Sequence, residues 1–166
     1  RSAAILRKPA DMTRPPSPAL LQTLADLLGP KGYSSDSETM TPWLTDWRGK
    51  YHGAAAAMLS PASTEEVAAI VRLCAAEGVA VVPQGGNSGM VGGAPPDASG
   101  DQLLLSLRRM NRVRQIDGTA HIAIAEAGVI PENFHHAALE KGLRFPLTLG
   151  GKGSATIGGL VSTNAG

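Results

Sequence analysis

Two glycine-rich segments constrain this chain more than any other feature. The first, Pro83-Gln84-Gly85-Gly86-Asn87-Ser88-Gly89-Met90-Val91-Gly92-Gly93, has glycine at five of its eleven positions. Such a run makes a poor helix or strand, because each glycine loses backbone entropy on ordering and buries no side chain. It can instead bring the backbone close to a ligand and turn N–H groups inward as an anion nest, which suits a phosphate or diphosphate. Asn87 and Ser88 add side-chain donors. For a single run of this kind the plain alternative is a mobile surface loop. The second segment runs from Leu149 to Gly159 and continues as Leu160-Val161-Ser162-Thr163-Asn164-Ala165-Gly166, again alternating small residues with hydroxyls and one amide. Two such segments in 166 residues weaken the mobile-loop reading and point to two backbone walls around one flat, phosphate-bearing ligand.

Two familiar phosphate loops are excluded. No G-x-G-x-x-G opens a helix, since the first segment runs into Ala94-Pro95-Pro96. No G-x4-G-K-[ST] is present either, because Gly153 follows Gly151-Lys152 and Pro146 stands where the leading glycine belongs. The rest of the composition narrows the class further. With 15 basic and 14 acidic residues the net charge is +1, so no global field favours nucleic acid or an anionic membrane surface. No segment has the apolar length of a membrane span or of a secretory signal, so the expected setting is the cytoplasm, with any membrane association through partners. The single cysteine, Cys74, rules out a disulfide framework and a cysteine-rich zinc site.

Residues 1–16 read as a flexible leader punctuated by Pro9, Pro15 and Pro16, and 17–166 as one domain portion. Ser17 followed by Pro18 is an N-terminal helix signal, Leu20, Leu21, Leu24, Leu27 and Leu28 follow at helical spacing, and Gly29-Pro30 ends the run. Residues 31–53 are polar and turn-rich, and Ala54 to Leu59 reads as a short buried strand. A second helix is capped by Ser63 or Thr64 and runs to about Glu77, with Val67, Ile70, Val71 and Cys74 on one face and Gly78 as its stop. Val79–Val82, Leu103–Leu107, Val113–Ile116 and His121–Ala125 are strand candidates, the last alternating Ile122 and Ile124 against Ala123 and Ala125. Glu132 to Lys141 is a further amphipathic helix. This order gives an α+β class with a small mixed or parallel sheet and flanking helices. The chain closes on VSTNAG with no polar tail and no closing helix, which is expected of a truncated domain.

Other conspicuous residues have modest readings. His135 and His136 are neighbours, so on a helix they diverge by about 100° and cannot share a metal; they read as a solvated pair. His52 and His121 have no ligand partner at suitable spacing. Cys74 lies on an apolar face and reads as inert core. Arg108, Arg109, Arg112 and Arg114 read as a solvated strand end, and Trp43 and Trp47 as packing residues. Lys152 is the cation with the best claim to a phosphate or flavin contact. No catalytic residue and no metal ligand is assigned.

The runs PQGGNSGMVGG, LSLRRMNRV, AEAGV and FPLTLGGKGSATIGGLVSTNAG, taken in this order, resemble the FAD-linked 2-hydroxyacid dehydrogenase family. That family includes D-2-hydroxyglutarate and D-lactate dehydrogenases and the flavin subunit of glycolate oxidase, within the vanillyl-alcohol-oxidase superfamily. The likeness covers roughly residues 40–166, including WRGKYHG and the PASTEEVAAIV helix. It implies the N-terminal half of a PCMH-type FAD-binding domain. On that resemblance Pro83, Gln84, Gly85, Gly86, Asn87, Ser88, Gly89, Met90, Gly92 and Gly93 form the loop at the FAD diphosphate, with the N–H groups of Gly85 to Gly89 as its donors. Ser88 stands where relatives often carry threonine and keeps the hydroxyl. Gly153, Ser154, Thr156, Ile157, Gly158 and Gly159 would cover the flavin and phosphate side, and Ser162, Thr163 and Asn164 would lie near the isoalloxazine ring.

The same resemblance implies FAD as cofactor and oxidation of a small 2-hydroxy acid by hydride transfer to the flavin, with hydroxy acid and electron acceptor left open. It also implies that the second half of the flavin domain and the substrate-binding groups follow the T-N-A-G motif, so that this chain alone lacks dehydrogenase activity and holds FAD weakly or not at all. Gly86→Val is expected to abolish FAD retention without unfolding the chain. The alternatives are a non-catalytic nucleotide-binding module and another oxidase of the same superfamily.

Overall fold

A computed structural model describes residues 14–165, so most of the leader expected over residues 1–16, and Gly166, lie outside the described residues. Helix α1 spans Pro18–Leu28 as its signals require. The Ser17 hydroxyl accepts from the Leu20 N–H at 3.1 Å, Pro18 opens the first turn, and Gly29 at φ 63° closes it by donating to the Ala25 carbonyl. Helix α3 spans Thr64–Glu77. Ser63 caps it by accepting from the Glu66 N–H, the Glu66 carboxylate reaches back to the Ala62 N–H, and Gly78 ends it in the left-handed region at φ 70°. One face of α3 buries Ile70 and Cys74; Val71, expected beside them, is half exposed.

The stretch expected to be polar and turn-rich holds two elements. Strand β1 is Tyr33–Ser34, and helix α2 is Ser37–Leu44, capped by the Asp36 carboxylate on the Thr39 N–H at 2.9 Å. Pro42 lies inside α2. The helix ends two residues later, so the missing N–H costs it one bond near its end.

Strands β2 (Ala57–Leu59), β3 (Val81–Gln84) and β4 (Leu103–Ser106) join β1 in one mixed sheet of order β1-β2-β4-β3. β2 and β3 both run parallel to the central β4, with Ala57 and Val81 opposite Leu103, while β1 is antiparallel to β2. Because β4 has neighbours on both sides, all four of its residues are buried and it reads as an unbroken apolar run. Leu20, Leu24 and Leu28 of α1 and Ile70 and Cys74 of α3 close the core against Ala57, Leu59, Leu103 and Leu105. The carboxyl ends of β3 and β4 therefore open at one sheet edge, where Gly85 and Leu107 begin the connecting segments. In open parallel sheets this edge is the usual place for a ligand.

A separate antiparallel hairpin pairs β5 (Val113–Asp117) with β6 (Ile122–Ala125). The alternation expected for β6 is present, but Ile122 and Ile124 remain 60% and 49% exposed, and His121 belongs to the turn at φ 55°. Helix α4 is Pro131–Leu139, and a short helix α5, Ile157–Ser162, occupies a stretch expected to close without one. The α+β class and the small mixed sheet are as the sequence predicts.

Cys74 is 1% exposed, and burial, then the Glu77 charge, raises its thiol above the usual cysteine range. Cys74→Ala is expected to destabilise the chain by about 1–2 kcal/mol in urea unfolding. The native thiol should resist iodoacetamide at pH 8 until denaturant is added; rapid alkylation of the folded chain would show that Cys74 is not core.

Candidate cofactor site

Glycines set the geometry at the carboxyl edge of β3. A Cβ on Gly85 would overlap the Thr156 hydroxyl, and one on Gly86 would overlap the Ser154 carbonyl oxygen. The two glycine segments therefore touch at Gly85–Gly86 instead of standing apart as two walls along their length. Beyond that contact several of their glycines border open space. A Cβ at Gly89, Gly93 or Gly150 meets nothing within 4 Å, and none of the three has a positive φ. Nothing among the described residues demands glycine at these positions. Gly151 faces Ser88, with 3.9 Å between a Cβ built there and the serine Cβ. No backbone N–H from Gly86 to Gly93 donates to a protein acceptor among the described residues. An uninterrupted run of unsatisfied donors beside open space is what an anion nest requires.

Several side chains expected at this ligand have protein partners. Gln84 is 2% exposed, and its amide nitrogen donates to the Trp43 and Ala94 carbonyls at 2.9 and 3.0 Å. Asn87, at φ 51°, gives an amide hydrogen to the Thr45 carbonyl at 2.7 Å. The donor expected of Asn87 thus holds the loop, while the Ser88 hydroxyl has no protein partner among the described residues. Pro83 belongs to the β3 ladder opposite Leu105. Met90 is exposed, and Gly92, at φ 75°, packs on the Tyr51 ring.

The second segment is more structural than its composition implies. Thr156 caps α5 by accepting from the Gly159 N–H, and the N–H groups of Ile157 and Gly158 donate to the Val129 and Ala127 carbonyls at 2.8 Å. A Cβ on Gly158 would lie 2.7 Å from that of Ala127. Ile157 and Gly158 thus lock α5 onto the AEAGV segment, and the backbone donors of Ile157, Gly158 and Gly159 are committed within the protein. Gly153 and Ser154 remain exposed. Ser162, Thr163 and Asn164 are exposed at the end of α5, where the Thr163 hydroxyl donates to the Gly159 carbonyl.

Residues 55–166 match the FAD binding domain family. The chain belongs to that family. D-2-hydroxyglutarate dehydrogenase of Arabidopsis thaliana, named as mitochondrial, is 43% identical over 141 residues, which is 85% of this chain and 25% of that protein. The chain thus spans about a quarter of that relative's length. An alkyldihydroxyacetonephosphate synthase structure superposes with a TM-score of 0.80 at 23% identity, covering 91% of this chain and 33% of the other. p-Cresol methylhydroxylase superposes with a TM-score of 0.68 at 21% identity, covering 82% and 27%. Those two likenesses establish the PCMH-type fold.

FAD, the cofactor of this family, fits what the residues offer. The backbone N–H groups from Gly86 to Gly93 have no protein acceptor among the described residues and would be free to donate to a diphosphate, and Gly89 and Gly150 leave open the space a side chain would fill. The cations around this FAD-binding domain are mostly engaged elsewhere. Arg112 and Arg114, expected to be solvated, both reach the Glu126 carboxylate at 3.0 Å, and Arg109 donates to the Ser60 carbonyl at 2.7 Å. Lys152, expected at phosphate or flavin, lies 3.7 Å from Glu132. Arg108 sits 3.9 Å over the Trp43 ring, while Trp47 is exposed. His135 is not simply solvated: its Nε2 pairs with the Leu147 carbonyl at 2.9 Å and its ring meets Phe145 edge-on. Among the described residues no cluster of three or more His, Cys, Asp or Glu could hold a metal, and no helix is long and apolar enough to cross a membrane.

Proposed function

We propose that this chain supplies the diphosphate-holding part of a flavin site in a protein that oxidises a D-2-hydroxy acid of the D-2-hydroxyglutarate type. The carrying observation is the run of backbone N–H groups from Gly86 to Gly93 without a protein acceptor among the described residues, with no described atom near a Cβ built at Gly89 or at Gly150. The substrate class comes from the name of the Arabidopsis relative, which also favours a mitochondrial setting over the cytoplasmic one expected from the sequence. Bound flavin would accept a hydride from the substrate α-carbon. The chain's own part is binding. The loop donates backbone hydrogen bonds to the diphosphate, and Ser88 adds a hydroxyl. Gly89 and Gly150 let the ligand lie against backbone, and Ser162, Thr163 and Asn164 border the flavin end. Arg108 is the arginine of its cluster that stays on the loop side.

The test is a thermal-shift titration of the 166-residue chain with FAD, ADP and inorganic pyrophosphate, beside dye reduction with D-2-hydroxyglutarate, D-lactate and glycolate. Saturable binding of all three diphosphates is expected, with FAD near roughly 100 μM, the modest affinity of a partial site. A tenfold excess over Kd stabilises by about 1.4 kcal/mol, a rise of about 3–5 °C for a chain of this size. No dye reduction is expected from this chain. Failure of all three diphosphates to raise the melting temperature would overturn the loop assignment.

A further inference from the structure

The glycine loop has little regular structure, so its shape depends on what lies behind it. Most of that backing comes from residues 43–51. Gln84 ties both ends of the loop at once, donating to the Trp43 carbonyl and to Ala94. Asn87 fixes the middle through the Thr45 carbonyl, and Gly92 lies on the Tyr51 ring, 2.7 Å from ring carbon to a Cβ built there. Arg108 arrives from the carboxyl end of β4. Its guanidinium stacks on Trp43 at 3.9 Å, and its Nη2 lies 3.4 Å from the Gly86 carbonyl oxygen. That last contact has a directional consequence. In a trans peptide the C=O and the following N–H point opposite ways, and no cis peptide occurs among the described residues. Holding the Gly86 carbonyl toward Arg108 therefore aims the Asn87 N–H away from it, into the nest.

We propose that Arg108, seated on Trp43, is a positioning residue that presets the glycine loop for a diphosphate, and that residues 43–53 belong to the cofactor-binding unit although they precede the stretch matching the family. The matched stretch begins at residue 55, so α2 and the turn after it stand outside it. Their contacts with the loop nonetheless run from Gln84 to Gly92. The guanidinium suits this task because it stacks flat on an indole while still presenting N–H groups in its own plane. A loop held in its bound shape before the ligand arrives loses less ordering entropy on binding. The ligand arm of this inference rests on reading the loop as a diphosphate cradle; the loop arm does not.

Two measurements on the 166-residue chain separate the arms. Amide hydrogen exchange of the loop is followed without ligand in wild type, Arg108→Met, Arg108→Lys and Trp43→Phe, and each chain is titrated with FAD and pyrophosphate. Arg108→Met keeps the side-chain stem and removes the charge. Its amides from Gly86 to Gly89 are expected to exchange about tenfold faster, with melting within about 2 °C of wild type. Its Kd for both ligands should rise about tenfold. Trp43→Phe, which keeps an aromatic face under the guanidinium, should stay within about threefold of wild type, and Arg108→Lys, which keeps the charge but loses the flat fork, should fall between wild type and Arg108→Met. Loop exchange in Arg108→Met equal to wild type overturns the proposal, as does unchanged FAD affinity in that variant when wild type binds. If wild type binds neither ligand, the diphosphate reading fails, and the exchange data still decide whether Arg108 positions the loop.

Discussion

Gly86→Val is expected to destabilise the chain by at least about 3 kcal/mol and to abolish FAD binding with it. Any Cβ at this position overlaps the Ser154 carbonyl oxygen and crowds the Ala155 Cα, and both are backbone atoms that no rotamer change can move aside. The contact joins the β3 edge to the segment leading into α5, so relief requires separating the two glycine segments. Gly89→Leu is the matching experiment. Nothing lies within 4 Å of a Cβ there and its φ is not positive, so stability should stay within about 0.5 kcal/mol of wild type. Its side chain would instead enter the open side of the nest, and FAD affinity should fall at least about tenfold. Urea unfolding and FAD titration of both variants distinguish glycine kept for packing from glycine kept for a ligand. A wild-type urea midpoint for Gly86→Val would mean that the two segments do not touch.

This pair differs from what the sequence predicts for Gly86, and the reason is general. Glycine permits close approach of any neighbour, whether ligand or backbone, and the residue type does not say which. The run Gly85-Gly86 approaches Thr156 and Ser154, whereas a Cβ at Gly89 or Gly150 approaches nothing among the described residues. Position along the strand edge decides the matter, and that is a tertiary fact.

Helices α1 and α3 were legible because their signals are local: Ser17-Pro18 and Ser63 at the starts, Gly29 and Gly78 at the ends, leucine or isoleucine spacing between. Helix α2 was not, since Pro42 and its many hydroxyls argue against a helix and only Met40 is buried. Helix α5 hid within a glycine run; its order comes from Ala127 and Val129, about thirty residues earlier. The loop's backbone donors, expected to form an anion nest, have no protein acceptor among the described residues, while the Trp43 and Thr45 carbonyls that hold Gln84 and Asn87 lie 41 and 42 residues away, beyond any spacing rule. The arginine cluster is open to solvent as expected, but its ion-pair partner was hidden for the same reason. Its carboxylate, Glu126, stands 12 and 14 residues after Arg114 and Arg112, across the hairpin. For Ile122 and Ile124 the period was right, but periodicity says which residues share a face and not whether that face is covered.

Glu126 is expected to make the chain's stability acid-sensitive in a window that one substitution can isolate. Its side chain is 2% exposed, while the two arginines it binds are largely open to solvent. The Arg112 backbone N–H, then the Arg112 guanidinium and the Arg114 guanidinium, hold the carboxyl down to about 2 from its ordinary 4.5, against the opposing effect of burial. The folded state thus binds the proton more weakly than the unfolded chain. Glu126 therefore contributes its full stabilisation above about pH 4.5, and that contribution is lost as pH falls through about 2. Asp36, Asp46, Asp97 and Asp117 are also lowered, chiefly by hydrogen bonds to their carboxylates, so the wild-type acid curve contains their contributions as well. Comparison with Glu126→Gln removes them. At pH 7 the variant should melt several degrees below wild type, because the amide loses the charge that both arginines face and places a donor among donors. The gap should narrow below about pH 4.5 and nearly close by pH 2. The consequence extends past the hairpin, since Ala127 and Val129, immediately after Glu126, accept the first N–H bonds of α5. FAD affinity of Glu126→Gln should therefore fall along with its stability at pH 7. Melting curves from pH 7 to 2 settle the assignment: a gap of constant size over that range, or no gap at pH 7, would show that the two arginines do not act through the Glu126 charge.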